Sequence, residues 1–418
     1  MGVRKRNWTT KKGEEKSAWV VEYTDAKGTR RLKTFQKKKD ADAFSATTTV
    51  EIREGVHVAD SASITIEQAG RLWLATGEAN GLEPTTLEQY RQHVNLHIVP
   101  LIGTRLLSRT NVPDIRAFED EMRETGRSPA MLKKVRGSLG AIFADAQERG
   151  LATRNPVREM AGRRKPGKER RQDKRRKGRL KIGVDIPMPQ EIKAFVRAAA
   201  GRWRPLLLTA VFAGLRASEL RGLRWDDVDL EQREIRIHQR ADRFNTLGQP
   251  KSATSERTVP IPNILVNTLR EWRLSCPRRD TGQKDAAGNP IKVLDLAFPN
   301  GAGKVESHAN IVNRGLIPTW IAAGVCTPLL DGAGLPVVDE DGAPVMTAKY
   351  TGLHSLRHFF ASWLINPPAL GGMGLLAKVV QDRLGHSTIA MTMDTYGHLF
   401  PRGDDADELA AAERALLG

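Results

Sequence analysis

Between Arg163 and Lys181 the chain carries 12 Lys or Arg against only Glu169 and Asp173, a local net charge of +10. A run of that density cannot collapse on itself, so it is either solvated or laid along phosphates, and it separates bodies that fold on their own. The 418-residue length agrees, because a single core stops growing well short of it and two or three domains are expected. Hydrophobic residues at 40% supply ample core material, while 66 Lys+Arg against 49 Asp+Glu leave a formal net charge of +17. That balance points to a polyanionic partner. The plainer account of the run, a solvated tether, stands beside the phosphate account.

Cys276 and Cys326 are too few and too far apart for a disulfide framework or a zinc cluster, which suits a reducing cytosol. Met1 to Lys12 is basic and polar, without an apolar stretch of signal-peptide length, and no run approaches a membrane span. The expectation is a soluble, cytoplasmic protein with no membrane partner.

Ahead of the basic run, Trp19, Val21 and Tyr23 alternate, the pattern breaks at Asp25 to Gly28, and it resumes from Thr29 to Phe35. This predicts a hairpin with a Gly turn. Asp40 is placed to cap a following helix that runs to about Arg53, with Phe44 inward. Residues 1–58 thus read as a small sheet packed on one helix. Arg30, Arg31 and Lys33 are its candidate DNA contacts, since a short basic sheet can enter a groove as a ribbon. The alternative is a small basic domain that merely packs.

Residues 63–157 read as an all-helical domain of about four helices. Thr65 with Gln68, and Thr85 with Glu88, have the spacing of capping boxes. Val112 to Glu124 is a third helix, and Ser128 to Arg149 a fourth with Leu132, Val135, Leu139, Ile142, Phe143 and Ala146 on one face. Lys133, Lys134 and Arg136 on that last helix are either phosphate contacts or its solvated face.

Residues 158–185 form the basic linker, residues 186–400 a mixed helix-and-strand domain, and residues 401–418 a tail helix. Within the mixed domain, Glu234 to His238 and Arg257 to Ile261 read as short strands with Gly248-Gln249-Pro250 as turn material between them. Pro277 to Pro290 and Thr327 to Lys349 look like surface insertions. The fold class is therefore mainly α with small β-sheets, in several domains.

The densest chemistry lies near the end, in His354-Ser355-Leu356-Arg357-His358, Leu384-Gly385-His386 and Thr395-Tyr396-Gly397-His398. Far upstream stands Ala213-Gly214-Leu215-Arg216-Ala217-Ser218-Glu219-Leu220. Cutting a phosphodiester requires neutralising charge, placing an oxygen in line and protonating the leaving group. Two arginines suit the first task, because a guanidinium stays charged and binds two phosphate oxygens together. Glu219 falls one helical turn beyond Arg216, where it can orient the guanidinium. Tyr396 is one of only four tyrosines, and a phenol is a weak nucleophile unless cations and a hydrogen-bond acceptor assist it. His354 and His358 have a spacing that can chelate zinc, but no Glu follows His354 and Arg357 lies between the pair. No acidic cluster of metal-ligand pattern accompanies these motifs, so neither a metal nor a cofactor is expected.

These strings resemble the tyrosine recombinase family, the integrases of phages and other mobile elements, and the string from Gly385 to Tyr396 is close to the family's nucleophile box. The resemblance implies a mixed α+β catalytic domain in which Tyr396 attacks the phosphate and leaves a 3′-phosphotyrosyl link. Arg216 and Arg357 clamp the phosphate, His386 assists, His354 handles a proton or contacts phosphate, and Lys251, from Lys251-Ser252-Ala253-Thr254, protonates the departing 5′ oxygen. Residues 1–58 are similar in layout to an arm-type DNA-binding domain. His97 to Gly103 and Asn155-Pro156-Val157 are similar to the core-binding domain. The implied partners are double-stranded attachment sites, three further copies of the chain in a tetramer on synapsed DNA, and an excisionase or DNA-bending accessory protein; the implied location is at the nucleoid. A type IB topoisomerase that reseals a single duplex, and a DNA-binding regulator with a disabled site, are the rival readings.

Overall fold

The computed structural model of the protein describes residues 1–10, 14–25, 28–55, 57–162, 179–250, 253–401 and 406–417. They fall into two compact units, Met1–Gly167 and Lys168–Gly418. Most of the Arg163 to Lys181 run lies outside the described residues, as does Lys251.

In the first unit, the antiparallel strands Gly2–Thr9, Glu15–Thr24 and Arg30–Phe35 form a sheet in that order. The second and third strands are the expected hairpin. The opening strand has no apolar alternation to announce it, and only Val3 in it is half-buried. Val21, Tyr23 and Ala41 form a small core with Phe35 and Phe44, which seats the helix Lys38–Arg53 on the sheet. That helix begins before Asp40, so the carboxylate sits in the first turn, where it favours the helix dipole, instead of capping it. Asp60 then accepts from Lys33 Nζ at 2.9 Å, Ser108 Oγ at 2.7 Å and Arg109 Nε at 3.2 Å, tying the sheet segment to the helices that follow. Burial alone would raise the Asp60 carboxyl, but the bonds from Lys33 and Ser108 hold it below its ordinary range.

The helices Ile66–Ala79, Pro84–His93, Val112–Glu124 and Pro129–Glu148 surround a core of Ile66, Ile98, Ile115, Phe118, Leu139, Ile142 and Phe143. The Thr65 capping box forms: Gln68 N–H donates to Thr65 Oγ1 at 3.2 Å and Thr65 N–H to Gln68 Oε1 at 3.0 Å. The Thr85–Glu88 box does not. Pro84 takes the first helical position, where its fixed φ suits the helix, so Thr85 lies inside the first turn and Glu83 stands at the cap.

In the second unit, Arg204–Ala213 is buried almost all round through Leu206, Leu207, Leu208, Ala210, Val211 and Ala213. His354–Ile365 is likewise central, with Leu356, Phe360 and Leu364 in the core. Val228–Asp229, Glu234–Ile237 and Arg257–Pro260 form an antiparallel sheet in which Ile235 faces Val259. Gly248, expected as turn with Gln249 and Pro250, pairs instead with Arg240 in the short ladder of Leu247–Gly248 with Arg240–Ala241. Both insertions are hairpins: Arg279–Lys284 with Pro290–Val293, and Cys326–Pro328 with Met346–Ala348. Glu191 anchors the second by accepting from Lys349 Nζ at 2.6 Å and Tyr350 Oη at 2.7 Å. Ala406–Leu417 is the expected tail helix. Among the described residues no helix is long and apolar enough to cross a membrane.

Candidate active site

Two helix ends create the floor of the site. Arg204–Ala213 stops at Gly214, whose φ of +61° suits glycine, and a Cβ there would stand 2.1 Å from the Phe360 ring. Ala377–Leu384 stops at Gly385 with φ +63°, where a Cβ would meet Arg257 Nη1 at 2.8 Å. The carbonyls exposed at these ends hold guanidinium groups. Arg357 Nη1 donates to Gly214 O at 2.5 Å and its Nη2 to Leu384 O, while Arg216 Nη2 donates to Gly385 O at 2.8 Å.

Arg216 stands at the N-terminal cap of Ala217–Gly222, and Glu219 reaches back to it. The Arg216 backbone N–H donates to Glu219 Oε2 at 2.8 Å and its Nη1 to Glu219 Oε1 at 2.7 Å. The other side of the same carboxylate is taken by Arg257, whose Nη2 donates to Oε2 at 2.8 Å and Nη1 to Oε1 at 3.2 Å. Burial alone would raise the Glu219 carboxyl, but Arg257, Arg216 and Arg357 outweigh it and hold it at about 2. Arg357 is only 3% exposed, and among the described residues it has no acidic partner within ion-pair distance. Burial, then repulsion from Arg216, pushes it down to about 9, which leaves it cationic at pH 7. Two guanidinium groups thus bind one carboxylate with a third, Arg357, buried nearby, and the surplus positive charge suits an anion with several acceptor oxygens.

Tyr396 ends the helix Ile389–Tyr396, which Thr388 caps through Met391 N–H, and its hydroxyl lies 2.7 Å from His358 Nδ1. The His386 ring lies parallel to the phenol, with centroids 6.2 Å apart, and His386 Nδ1 meets Thr392 Oγ1 at 2.9 Å. Burial pushes Tyr396 up to about 12 against the pull of Arg357 and Arg216. Burial, then Arg357 and Arg216, pushes His386 down to about 4. His358 is also pushed to about 4, by burial and then by His354 and Arg357. His354, the first residue of its helix, reaches solvent, yet loss of water around its ring and then Arg357 and Arg216 lower it too. The site in the free protein therefore holds neutral imidazoles and a protonated phenol beside fixed cations.

The structure brings together Arg216, Glu219, His354, Arg357, His386 and Tyr396. The sequence reading missed Arg257 and gave His358 no role beyond the rejected zinc pair. An inward Arg257 has a weak signal, since it shares a strand face with buried Val259 and an inward cation needs a carboxylate. Among the described residues no third His, Cys, Asp or Glu joins His354 and His358 in a metal-sized group. The candidate DNA contacts of the first unit divide. Arg30 pairs with Glu22, Arg31 with Asp25 at 2.9 Å, Lys33 with Asp60 and Arg136 with Glu119 at 2.9 Å, whereas Lys133 and Lys134 are exposed and form no ion pair among the described residues.

Residues 188–293 match the phage integrase family and residues 66–163 the phage integrase central domain. A XerC-like tyrosine recombinase of Caldanaerobacter subterraneus subsp. tengcongensis is 26% identical over 384 residues, covering 87% of this chain and 87% of that protein. The ICEBs1 integrase of Bacillus subtilis is 23% identical, over 82% of this chain and 81% of its own. Among solved structures, the Tn1549 transposon integrase in complex with a circular intermediate DNA shares the fold with a TM-score of 0.57 at 18% identity, covering 85% of this chain and 100% of that one.

Proposed function

Because the chain belongs to the phage integrase family of tyrosine recombinases and is a site-specific recombinase that cuts and rejoins DNA in the integration of mobile elements, we propose that Tyr396 is its nucleophile and that Arg216 and Arg357 clamp the phosphate it attacks. What supports this is the buried Tyr396 in a cluster where three guanidinium groups have one carboxylate among them, which binds Arg216 and Arg257 and leaves Arg357 without an acidic partner among the described residues. A phosphodiester brings the missing negative charge, and its anionic oxygens accept from the guanidinium forks. Attack by the phenol leaves a 3′-phosphotyrosyl link and a free 5′ hydroxyl. Attack by a 5′ hydroxyl from another strand reverses the step without ATP, since the bond energy stays in the ester. Lys251 protonates the departing 5′ oxygen, His386 and His354 contact the phosphate, and Glu219 positions Arg216.

The same reading extends to the assembly. Exchanging both strands of two duplexes needs four cuts, and each protomer brings one Tyr396, so four copies act on two synapsed sites. The exposed Lys133 and Lys134, with the basic run after them, hold DNA through its phosphates, and an excisionase or a DNA-bending protein is the accessory partner this reading admits. A nicked suicide duplex tests the nucleophile: the native chain gives an SDS-resistant adduct, and Tyr396→Phe gives none while still binding. An adduct formed by Tyr396→Phe excludes the assignment.

A further inference from the structure

We propose that His358 is the base that takes the proton from Tyr396 as the hydroxyl attacks phosphorus, a role that rests on the nucleophile assignment above. Among the described residues, His358 Nδ1 is the hydrogen-bond partner of the Tyr396 hydroxyl, and 2.7 Å is within the reach that a general base requires. The bond runs from the phenol to the ring in the neutral tautomer that carries its proton on Nε2 and leaves Nδ1 as the acceptor. A phenol at about 12 keeps its proton at neutral pH and donates, while an imidazole at about 4 is neutral and can accept at Nδ1. Of the charged and titratable groups around that ring, His354 and Arg357 oppose its protonation and Asp185 favours it, while His386 lies near enough to be lowered by it. A seated phosphate offsets the repulsion from Arg357, so the ring accepts a proton more readily in the DNA complex than in the free protein.

The other histidines are placed for different work. His386 Nδ1 is engaged by Thr392 Oγ1, its ring lies parallel to the phenol with centroids 6.2 Å apart, and it makes no hydrogen bond to the Tyr396 hydroxyl among the described residues. His354 stands edge-on to His358, with centroids 5.6 Å apart, and makes no hydrogen bond to Tyr396. In the step itself the Tyr396 Oη–P bond forms, the P–O5′ bond breaks and the phenol proton passes to His358 Nδ1. The 5′ oxygen takes its proton from a separate donor, Lys251 in the reading above. On resealing, the imidazolium of His358 returns its proton to the departing phenolate.

DNAs with altered leaving groups separate this role from the others. On an ordinary suicide duplex, His358→Ala and His358→Asn should form the adduct roughly a hundred- to ten-thousand-fold more slowly than the native chain. Asn keeps a hydrogen-bonding atom near the Nδ1 position but takes no proton, so a native rate in His358→Asn overturns the proposal. A 5′-bridging phosphorothiolate leaves without protonation. It should restore Lys251→Ala and not the His358 variants; restoration of the latter places His358 at the leaving group and overturns the proposal.

In a Tyr396→Phe background, DNA ending in a 3′-p-nitrophenyl phosphate joins to a 5′ hydroxyl with no phenol proton to move. That joining should be the same, to within a factor of a few, with His358 or Asn at this position. A loss as large as on the ordinary duplex assigns His358 to folding or phosphate binding and sinks the proposal. Absence of an adduct from the native chain, or its presence with Tyr396→Phe, instead removes the nucleophile assignment and takes this role with it.

Discussion

Glu119 in the helical bundle and Glu219 in the catalytic unit are both buried, and each grips two arginines, yet their surroundings differ. Arg123 and Arg136, the partners of Glu119, keep 52% and 36% of their side chains exposed. Arg216 and Arg257, the partners of Glu219, keep 30% and 5%. Beside Glu219 lies a third cation, Arg357, held by the carbonyls of Gly214 and Leu384. In the bundle, Asp120 pairs with Arg123 as well, so two carboxylates serve two arginines that water also screens, and the result is an ordinary structural ion-pair cluster. In the catalytic unit Arg257 and Arg357 are withdrawn from water, Arg216 is partly so, and the three outnumber the acid, so an incoming anion completes the arrangement. Counting carboxylates per buried guanidinium thus separates a structural pair from an anion site more sharply than counting arginines does.

The largest contrast is expected from removing each carboxylate. Glu219→Gln leaves the buried Arg257 and Arg357 and the half-buried Arg216 with no carboxylate and sets an amide N–H against donors, and breaking a buried pair in this way costs about 3–5 kcal/mol. Glu119→Gln releases Arg136 and leaves Arg123 with Asp120, both arginines already reach solvent, and the change should cost about 1 kcal/mol or less. Urea unfolding of the full chain followed by tryptophan fluorescence reads both, because Trp203, Trp225, Trp272, Trp320 and Trp363 report on the catalytic unit while Trp8, Trp19 and Trp73 report on the other. Equal losses from the two variants would break the distinction.

The next contrast is chemical. Arg357→Ala should lower strand cleavage at saturating DNA by about 10²–10³-fold, the usual effect of losing one preorganised donor to a developing oxyanion. Arg136→Ala should leave that rate unchanged, because its guanidinium serves Glu119. A cleavage defect in Arg136→Ala as large as in Arg357→Ala would mean that charge anywhere along the DNA matters, and that the buried surplus has no special part.

Acid provides a third, somewhat smaller test. Glu219 has a folded pKa of about 2 against an ordinary 4.5. A depressed carboxyl contributes stability that is fully present above the unfolded value and is lost as pH falls from there through the folded one. Between about pH 4.5 and pH 2 the catalytic unit should therefore lose on the order of 3 kcal/mol through this group alone. Glu219→Gln should flatten that part of the profile, and an unaltered slope would contradict the charge balance drawn for the site.

The difference between the units also explains what could be read from the residues alone. Local signals were legible: the Thr65–Gln68 cap, the Val112–Glu124 helix and the Arg216–Glu219 turn all arise from spacings of three or four residues. Pro84 displaced the expected Thr85 cap because its fixed φ fits the first helical position. The missed contacts are the distant ones. Arg257 meets Glu219 across 38 positions, and His358 meets Tyr396 across another 38, so both depend on how elements pack. The carbonyls of Gly214, Leu384 and Gly385 carry no side-chain signature at all, yet they accept both hydrogen bonds of Arg357 and one of Arg216. The expectation for Lys251 rests on its motif, since that residue lies outside the described ones.

The smallest effect concerns the cations of the helical bundle, and it asks whether intramolecular pairing predicts which of them touch DNA. Each phosphate neutralised releases counterions, so each contact contributes about 0.9 to the slope of log affinity against log salt. Lys133 and Lys134 are exposed and form no ion pair among the described residues, whereas Arg136, three positions further along the same helix, is held by Glu119 at 2.9 Å. Replacing both lysines by Gln should therefore reduce the slope by about 1.8, and Arg136→Gln should reduce it by much less than one contact. Neutralising the run from Arg163 to Lys181 removes many more cations, so the lysine and Arg136 variants are best compared in chains that keep the run intact. Fluorescence anisotropy on a duplex across a salt series gives all the slopes. A larger change from Arg136 than from the lysine pair would show that DNA displaces Glu119, and the line between paired and available arginines would then have to be redrawn for the bundle.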